Sequence, residues 1–153
     1  MPFNTRQEAF DATVKHLAEQ KQMAAYRSAV GTPKCQYKFY ENESGKLLTC
    51  AVGCHIKDIP TAFMEGQGIN YIYSINKYAD ETEKRAAIYD ALNIVGGSEE
   101  ESEDFWCHIQ GVHDRAYTLV SLKKELYAFV AKRKLNPASI DLITEWKEWK
   151  MLA

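Results

Sequence analysis

The chain has 153 residues, 46% hydrophobic and 26% charged, with a formal charge of −2. This length fits a single domain, residues 1–153, large enough to bury a sizeable core. The charge argues against a general nucleic-acid binder, since neutralising phosphates takes a basic surface, and no apolar run approaches the ~20 residues needed to span a bilayer.

Met1-Pro2-Phe3-Asn4 leads directly into an amphipathic pattern, without the basic and apolar segments of a signal peptide. Thr5-Arg6-Gln7-Glu8 reads as a capping box, in which the Thr5 hydroxyl and the Glu8 carboxylate satisfy free N–H groups. Phe10, Val14, Leu17 and Met23-Ala24 carry helical spacing to about Tyr26. His16 borders that stripe and reads as structural. Gly31-Thr32-Pro33 then ends the helix.

The most strand-like stretch follows. Cys35, Tyr37 and Phe39 alternate with Gln36, Lys38 and Tyr40, and the run Lys46–Val52 alternates through Leu48, Cys50 and Val52. Glu41-Asn42-Glu43-Ser44-Gly45 between them is turn material. A turn centred near Asn42–Glu43 would set Cys35 opposite Cys50 and Tyr37 opposite Leu48, their Cβ atoms about 5 Å apart. Paired thiols on a buried face read first as core residues. A zinc site from Cys35, Cys50, Cys54 and His55 is the sharper alternative, since these supply thiolate and imidazole. Their C-x14-C-x3-C-H spacing lacks paired C-x2-C knuckles, so the cofactor expected is none, with zinc as the alternative.

Gly53–Pro60 and Met64-Glu65-Gly66-Gln67-Gly68 read as a loop crossing a surface; without Gly-Lys-Ser/Thr it is no phosphate loop. Ile69–Ile75 fits a short strand or a helical turn equally. Asp80-Glu81-Thr82-Glu83 caps a second helix with Ala87, Ile88, Ala91, Leu92 and Val95 inward, closed by Gly96-Gly97. The acidic run Ser98–Asp104 reads as the first turn of a helix, where the macrodipole favours carboxylates. That helix turns Phe105, Ile109, Val112 and Ala116 inward, with Trp106 and His113 at its margins. Ser121 caps a further helix with Leu122, Leu126, Phe129 and Val130 inward. Its other side bears Lys123, Lys124, Lys132, Arg133 and Lys134, read as a solvated basic face. Asn136-Pro137 restarts a last helix carrying Ile140, Ile143, Trp146 and Trp149. The fold expected is α+β, a short antiparallel hairpin packed by four to five helices.

Several separated pieces form a recognisable combination: His16-Leu17 with Gln20, Cys35-Gln36-Tyr37, Cys50-Ala51-Val52-Gly53 with Ile56, Met64-Glu65-Gly66, and Gln110 with Val112-His113-Asp114. Together, over residues 10–120, they resemble a family of small bacteriophage and prophage proteins with a C-x-Y…C-A-x-G hairpin, a Met-Glu-Gly loop and a Gln-x-x-His-Asp helix. Cys54-His55 and Lys57-Asp58 depart from that pattern. The resemblance implies a viral accessory protein, in host interference or anti-defence, working in the host cytoplasm.

Three functions follow from the residues. The first is binding of a small anionic or nucleotide-like ligand, or of a host protein, through His55, Lys57, Glu65, Gln110, His113, Asp114 and Arg115. Glycine loops and nine tyrosines suit such a polar pocket with stacking surfaces. The second is a Cys/His-dependent hydrolase built on Cys50 and His113. Adjacent helical residues diverge by about 100°, so His113 should find its carboxylate partner elsewhere, with Glu65 the candidate. The third is a zinc-stabilised interaction module. No membrane partner is expected, nucleic acid is disfavoured, and a homo-oligomer stays open.

Overall fold

A computed structural model gives the course of residues 3–42, 44–74 and 82–149. Among these residues the fold is α+β, with five helices and two antiparallel two-stranded ribbons. Helix α1 runs Arg6–Gln20. The Thr5 hydroxyl accepts the Glu8 N–H at 3.0 Å, and the Glu8 carboxylate accepts the N–H of Asn4, one residue upstream of the expected partner. Its inward stripe is Phe10, Thr13, Val14, Leu17 and Gln20.

The helix stops six residues before the expected Tyr26, because Lys21 adopts a left-handed φ of 64° and returns its N–H to Leu17. Ala25–Arg27 is instead strand β1, paired with β2, Pro33–Cys35, so that Cys35 stands opposite Ala25. The next two strands, β3 (Lys38–Tyr40) and β4 (Leu47–Thr49), pair with Phe39 opposite Leu48. The expected hairpin therefore exists, but its register is slipped by two residues and Cys35 belongs to a different ribbon. Gln36 explains the split: its N–H bonds the Ala24 carbonyl at 2.8 Å and draws the first half of the run toward β1. A two-residue slip preserves the inward face, and Tyr37, Leu48 and Cys50 are all buried as the alternation requires.

A 3-10 turn, Gly53–His55, follows the hairpin, and a second covers Ala62–Met64. The undecided stretch is helical, α2 being Asn70–Ser74. Helix α3 spans Thr82–Ala91 and ends short of the expected close at Gly96-Gly97; Ile88 and, just past its end, Leu92 are buried, but Ala87 and Val95 are exposed. The expected cap at Asp80-Glu81 lies outside the described residues, as do Glu43 of the hairpin turn and Ile75. Helix α4, Glu99–Asp114, starts on the Ser98 cap with Glu99, Glu100 and Glu101 in its first turn. Trp106 and His113, expected at its margins, are fully buried. Helix α5, Leu119–Arg133, is capped by Thr118, and Ser121 is the reciprocal member of that box, not the cap itself.

Arg133 is the exception to the solvated basic face. Its side chain is 5% exposed, ion-paired to Asp104 at 2.7 Å, and its guanidinium lies 4.0 Å from the Phe129 ring centroid. The core joins these helices through Phe10 stacked on Phe129 and Phe105 set edge-on to both Phe129 and Trp106.

Among the described residues no α-helix follows Asn136-Pro137. One 3-10 turn, Ala138–Leu142, gives way to a segment without regular hydrogen bonding through residue 149. The apolar positions recur every three residues, a period that drifts by about 60° per step around an α-helix. An irregular strap turns Ile140, Ile143 and Trp146 inward instead. It is fastened by Lys147 N–H to Lys21 O, Trp149 N–H to Tyr117 O, and the Trp146 indole to Ala116 O, each at 2.7–2.8 Å.

Candidate functional site

The last turn of α4 faces the junction between β2 and β3. Gln110 and Asp114 come from the helix, Cys35, Gln36 and Tyr37 from the junction, and Gly66 to Gly68 from the loop. Tyr26, Pro33, Lys34 and Tyr117 complete the walls of a groove of about 530 Å³. Lys34 and Asp114 are the two charged side chains lining it. Tyr37 is fixed as a wall because its hydroxyl donates to the Gln67 carbonyl at 2.7 Å.

Behind this surface lies a hydrogen-bonded chain whose proton positions follow from its ends. The Ala24 backbone N–H donates to His113 Nε2 at 3.0 Å. An amide N–H only donates, so Nε2 is the bare acceptor and the ring proton sits on Nδ1. Nδ1–H then donates to Asp114 Oδ1 at 2.8 Å. Gln110 Nε2 donates to the same oxygen at 2.9 Å, while Gln110 Oε1 accepts the Val52 N–H at 3.2 Å. Both lone pairs of Oδ1 are thus used. The Cys35 thiol also bonds the Asp114 side chain, which is 38% exposed at the groove.

His113 therefore finds its carboxylate on the adjacent residue, and the expected partner Glu65 is elsewhere. The 100° divergence holds inside a helix; Asp114 is the final residue of α4 and its short side chain folds back onto the ring. Glu65 instead accepts the N–H groups of Tyr37 at 2.7 Å and Lys38 at 3.3 Å, pinning the Met-Glu-Gly loop to the start of β3.

Cys50 is fully buried, its sulfur accepting the Gly53 N–H at 3.2 Å, and burial pushes its thiol up to about 12. A nucleophile needs the thiolate, and a base needs a free nitrogen; the His113 Nε2 lone pair is already occupied. The arrangement does not suit the Cys50–His113 hydrolysis expected from the sequence.

The four residues expected to hold zinc do not converge either. Cys54 donates to Ala51 O at 3.4 Å, burial raising its thiol well above the usual range. His55 lies between Phe3 and Trp106 with Nε2 2.8 Å from Thr13 Oγ1. The Thr13 hydroxyl proton goes to Ala9 O, so the His55 Nε2–H donates. Burial, with His16 and Lys57 nearby, holds the ring pKa down at about 4.

The one metal-capable cluster among the described residues is Cys35, His113 and Asp114, with ligand atoms within 4.8 Å of one another. It is a poor fit to zinc. Ligation through His113 Nδ1 would displace its proton, and the Ala24 N–H prevents that proton from moving to Nε2. Burial and the neighbouring Asp114 carboxylate also raise the Cys35 thiol, the opposite of what a metal ligand requires.

Lys57 and His55 line a different, smaller hollow with His16. Arg115 pairs with Glu125 at 2.9 Å and faces another. Of the seven expected ligand residues, the groove brings Gln110 and Asp114 to its surface with His113 behind them. Tyr26, Lys34, Gln36 and Tyr117 went unnoticed in the sequence. Gln36 sits within the Cys-Gln-Tyr motif and could have been found; the Ala24 N–H, a backbone group, carries no sequence signal.

No family model, no curated protein and no solved structure matches the chain. No helix among the described residues is long and apolar enough to cross a membrane.

Proposed function

We propose that the protein acts by binding: a phage-type accessory protein that takes up a small nucleotide-like molecule in the groove between α4, the β1–β2 ribbon and the Gly66–Gly68 loop. The single observation that carries this reading is the Asp114 carboxylate, partly exposed at the groove and held from behind. Its Oδ1 takes two internal donors, so the side chain is preorganised before a ligand arrives. The groove's volume lies within the usual range for small-molecule sites. Tyrosines offer stacking surfaces, and Lys34 offers a cation for a phosphate. The accessory role itself rests on the motif resemblance.

A thermal-shift panel of nucleosides and nucleotides tests the reading. At least one member should raise Tm by several degrees at saturating concentration, and the shift should vanish in Asp114→Asn while the unliganded Tm stays within about 2 °C. A panel without any stabiliser would remove the small-ligand reading and turn attention to capture of a host protein.

A further inference from the structure

We infer that the hollow where α4 meets Lys132 of α5 binds the phosphate of a small phosphomonoester, through His108, Arg115 and Lys132. The hollow measures about 340 Å³ and is lined by Asp104, Cys107, His108, Gly111, Arg115 and Lys132. None of these residues lines the groove of Asp114, so the inference stands apart from the binding reading above.

The first donor is fixed from behind. Arg133 donates to His108 Nδ1 at 2.7 Å. A guanidinium only donates, so Nδ1 is the acceptor and the ring proton sits on Nε2. The ring rests against Phe129, their centroids 4.8 Å apart. Burial, with Arg133, Lys132 and Arg115 nearby, holds its pKa below the ordinary value. The ring is therefore neutral near pH 7, and its Nε2–H has no partner among the described residues.

The second donor is placed by an absent side chain. Glycine weakens a helix interior relative to alanine, yet Gly111 sits inside α4. A Cβ there would stand 2.8 Å from Arg115 Nη1. Glycine thus lets the guanidinium lie back along the helix. Its Nε and Nη2 donate to Glu125 Oε1 at 3.1 and 2.9 Å, which leaves Nη1 uncommitted. Lys132, exposed and in no ion pair among the described residues, is the third donor. Asp104 is the one carboxylate on the lining, and Arg133 already holds its Oδ2 at 2.7 Å.

Three uncommitted donors, two of them cationic, call for an anion with an oxygen for each. A phosphate monoester presents three and a carboxylate two. The volume leaves room for the esterified group. Affinity should be millimolar, since Arg115 and Lys132 stand largely in solvent. A nucleotide dilute enough to report only the groove therefore leaves this hollow empty.

NMR of the His108 ring during titration with inorganic phosphate, glucose 6-phosphate, acetate and, at matched ionic strength, chloride reads this out. Both phosphates should shift the ring and the Gly111 amide saturably, whereas acetate and chloride should not. Lys132→Ala should weaken binding of glucose 6-phosphate about fivefold. Gly111→Ala keeps every charge, and the tip of Arg115 is free to swing aside, so Tm should hold or rise. Its affinity for glucose 6-phosphate should nevertheless fall about fivefold, because the guanidinium is displaced. The assignment would be overturned by acetate binding as tightly as phosphate, by no saturable shift with glucose 6-phosphate, or by unchanged affinity in either variant.

Discussion

The hydrogen bond from Ala24 to His113 sets the proton of a buried ring, and through it the direction of a carboxylate on the surface. His113→Ala would leave the Ala24 N–H buried without an acceptor and Asp114 without one of its two donors. An unsatisfied buried donor costs about 1–3 kcal/mol and the vacated volume adds to it. Urea unfolding should show a loss of about 3 kcal/mol. A loss below 1 kcal/mol would mean the ring is not needed to hold this corner. The thiols give a separate residue-scale test. Burial holds the Cys50 thiol at about 12, so a thiol reagent at pH 8 should leave Cys50 unlabelled in the native protein and label it after unfolding, as peptide mass analysis would reveal. Rapid labelling of native Cys50 would restore it as a candidate nucleophile.

At the level of elements, the turn after β4 is tied to the chain before β3 by a close backbone approach. A Cβ at Gly53 would collide with the Tyr37 carbonyl oxygen, an atom that also accepts the Cys50 N–H. Relief would require moving backbone on both sides, so Gly53→Ala should destabilise by about 3 kcal/mol or more, read as a fall in Tm. Near-native stability would show that the hairpin and the 3-10 turn separate easily. The sequence made the inward face of this hairpin legible, because alternation survives a slip of two residues. It hid the register, which depends on Gln36 bonding Ala24, a contact between backbone atoms. The same limit applies to β1: Tyr26 continues a helical pattern, while the left-handed turn at Lys21 that ends α1 has no glycine to announce it. The C-terminal strap departs from the helical expectation for another reason. Its three-residue apolar repeat is inconsistent with a long α-helix, but Asn-Pro is a strong enough start signal to outweigh it.

Over the whole molecule, helix caps and apolar stripes were legible because they are local, and the α+β class followed from them. The site was legible in part: Gln110, His113 and Asp114 stand in one motif, whereas the groove's far wall comes from a ribbon the sequence did not disclose. Buried histidines also shape the response of the whole fold to acid. His55 has a pKa near 4 when folded, against 6.5 as the reference for an exposed ring. Between those values the unfolded chain takes up a proton that the native state refuses, so stability is full above about pH 6.5 and declines toward pH 4. The difference is worth about 2–3 kcal/mol by pH 4.5, and His16, whose pKa burial also lowers, acts in the same direction. Urea unfolding at pH 7 and 4.5 should show that loss in the native protein and a smaller one in His55→Gln; equal losses would assign the acid sensitivity to other groups.

The central claim is that the groove lined by Asp114 takes up the proposed nucleotide-like ligand, and an amide NMR titration with AMP and GMP examines it residue by residue. The account predicts shifts concentrated at Gln36, Gly66, Gly68, Asp114 and the Gln110 side-chain amide, with the Cys54–Lys57 turn unmoved. Shifts centred on the hollow beside His16, His55 and Lys57, or none at any concentration tried, would contradict it.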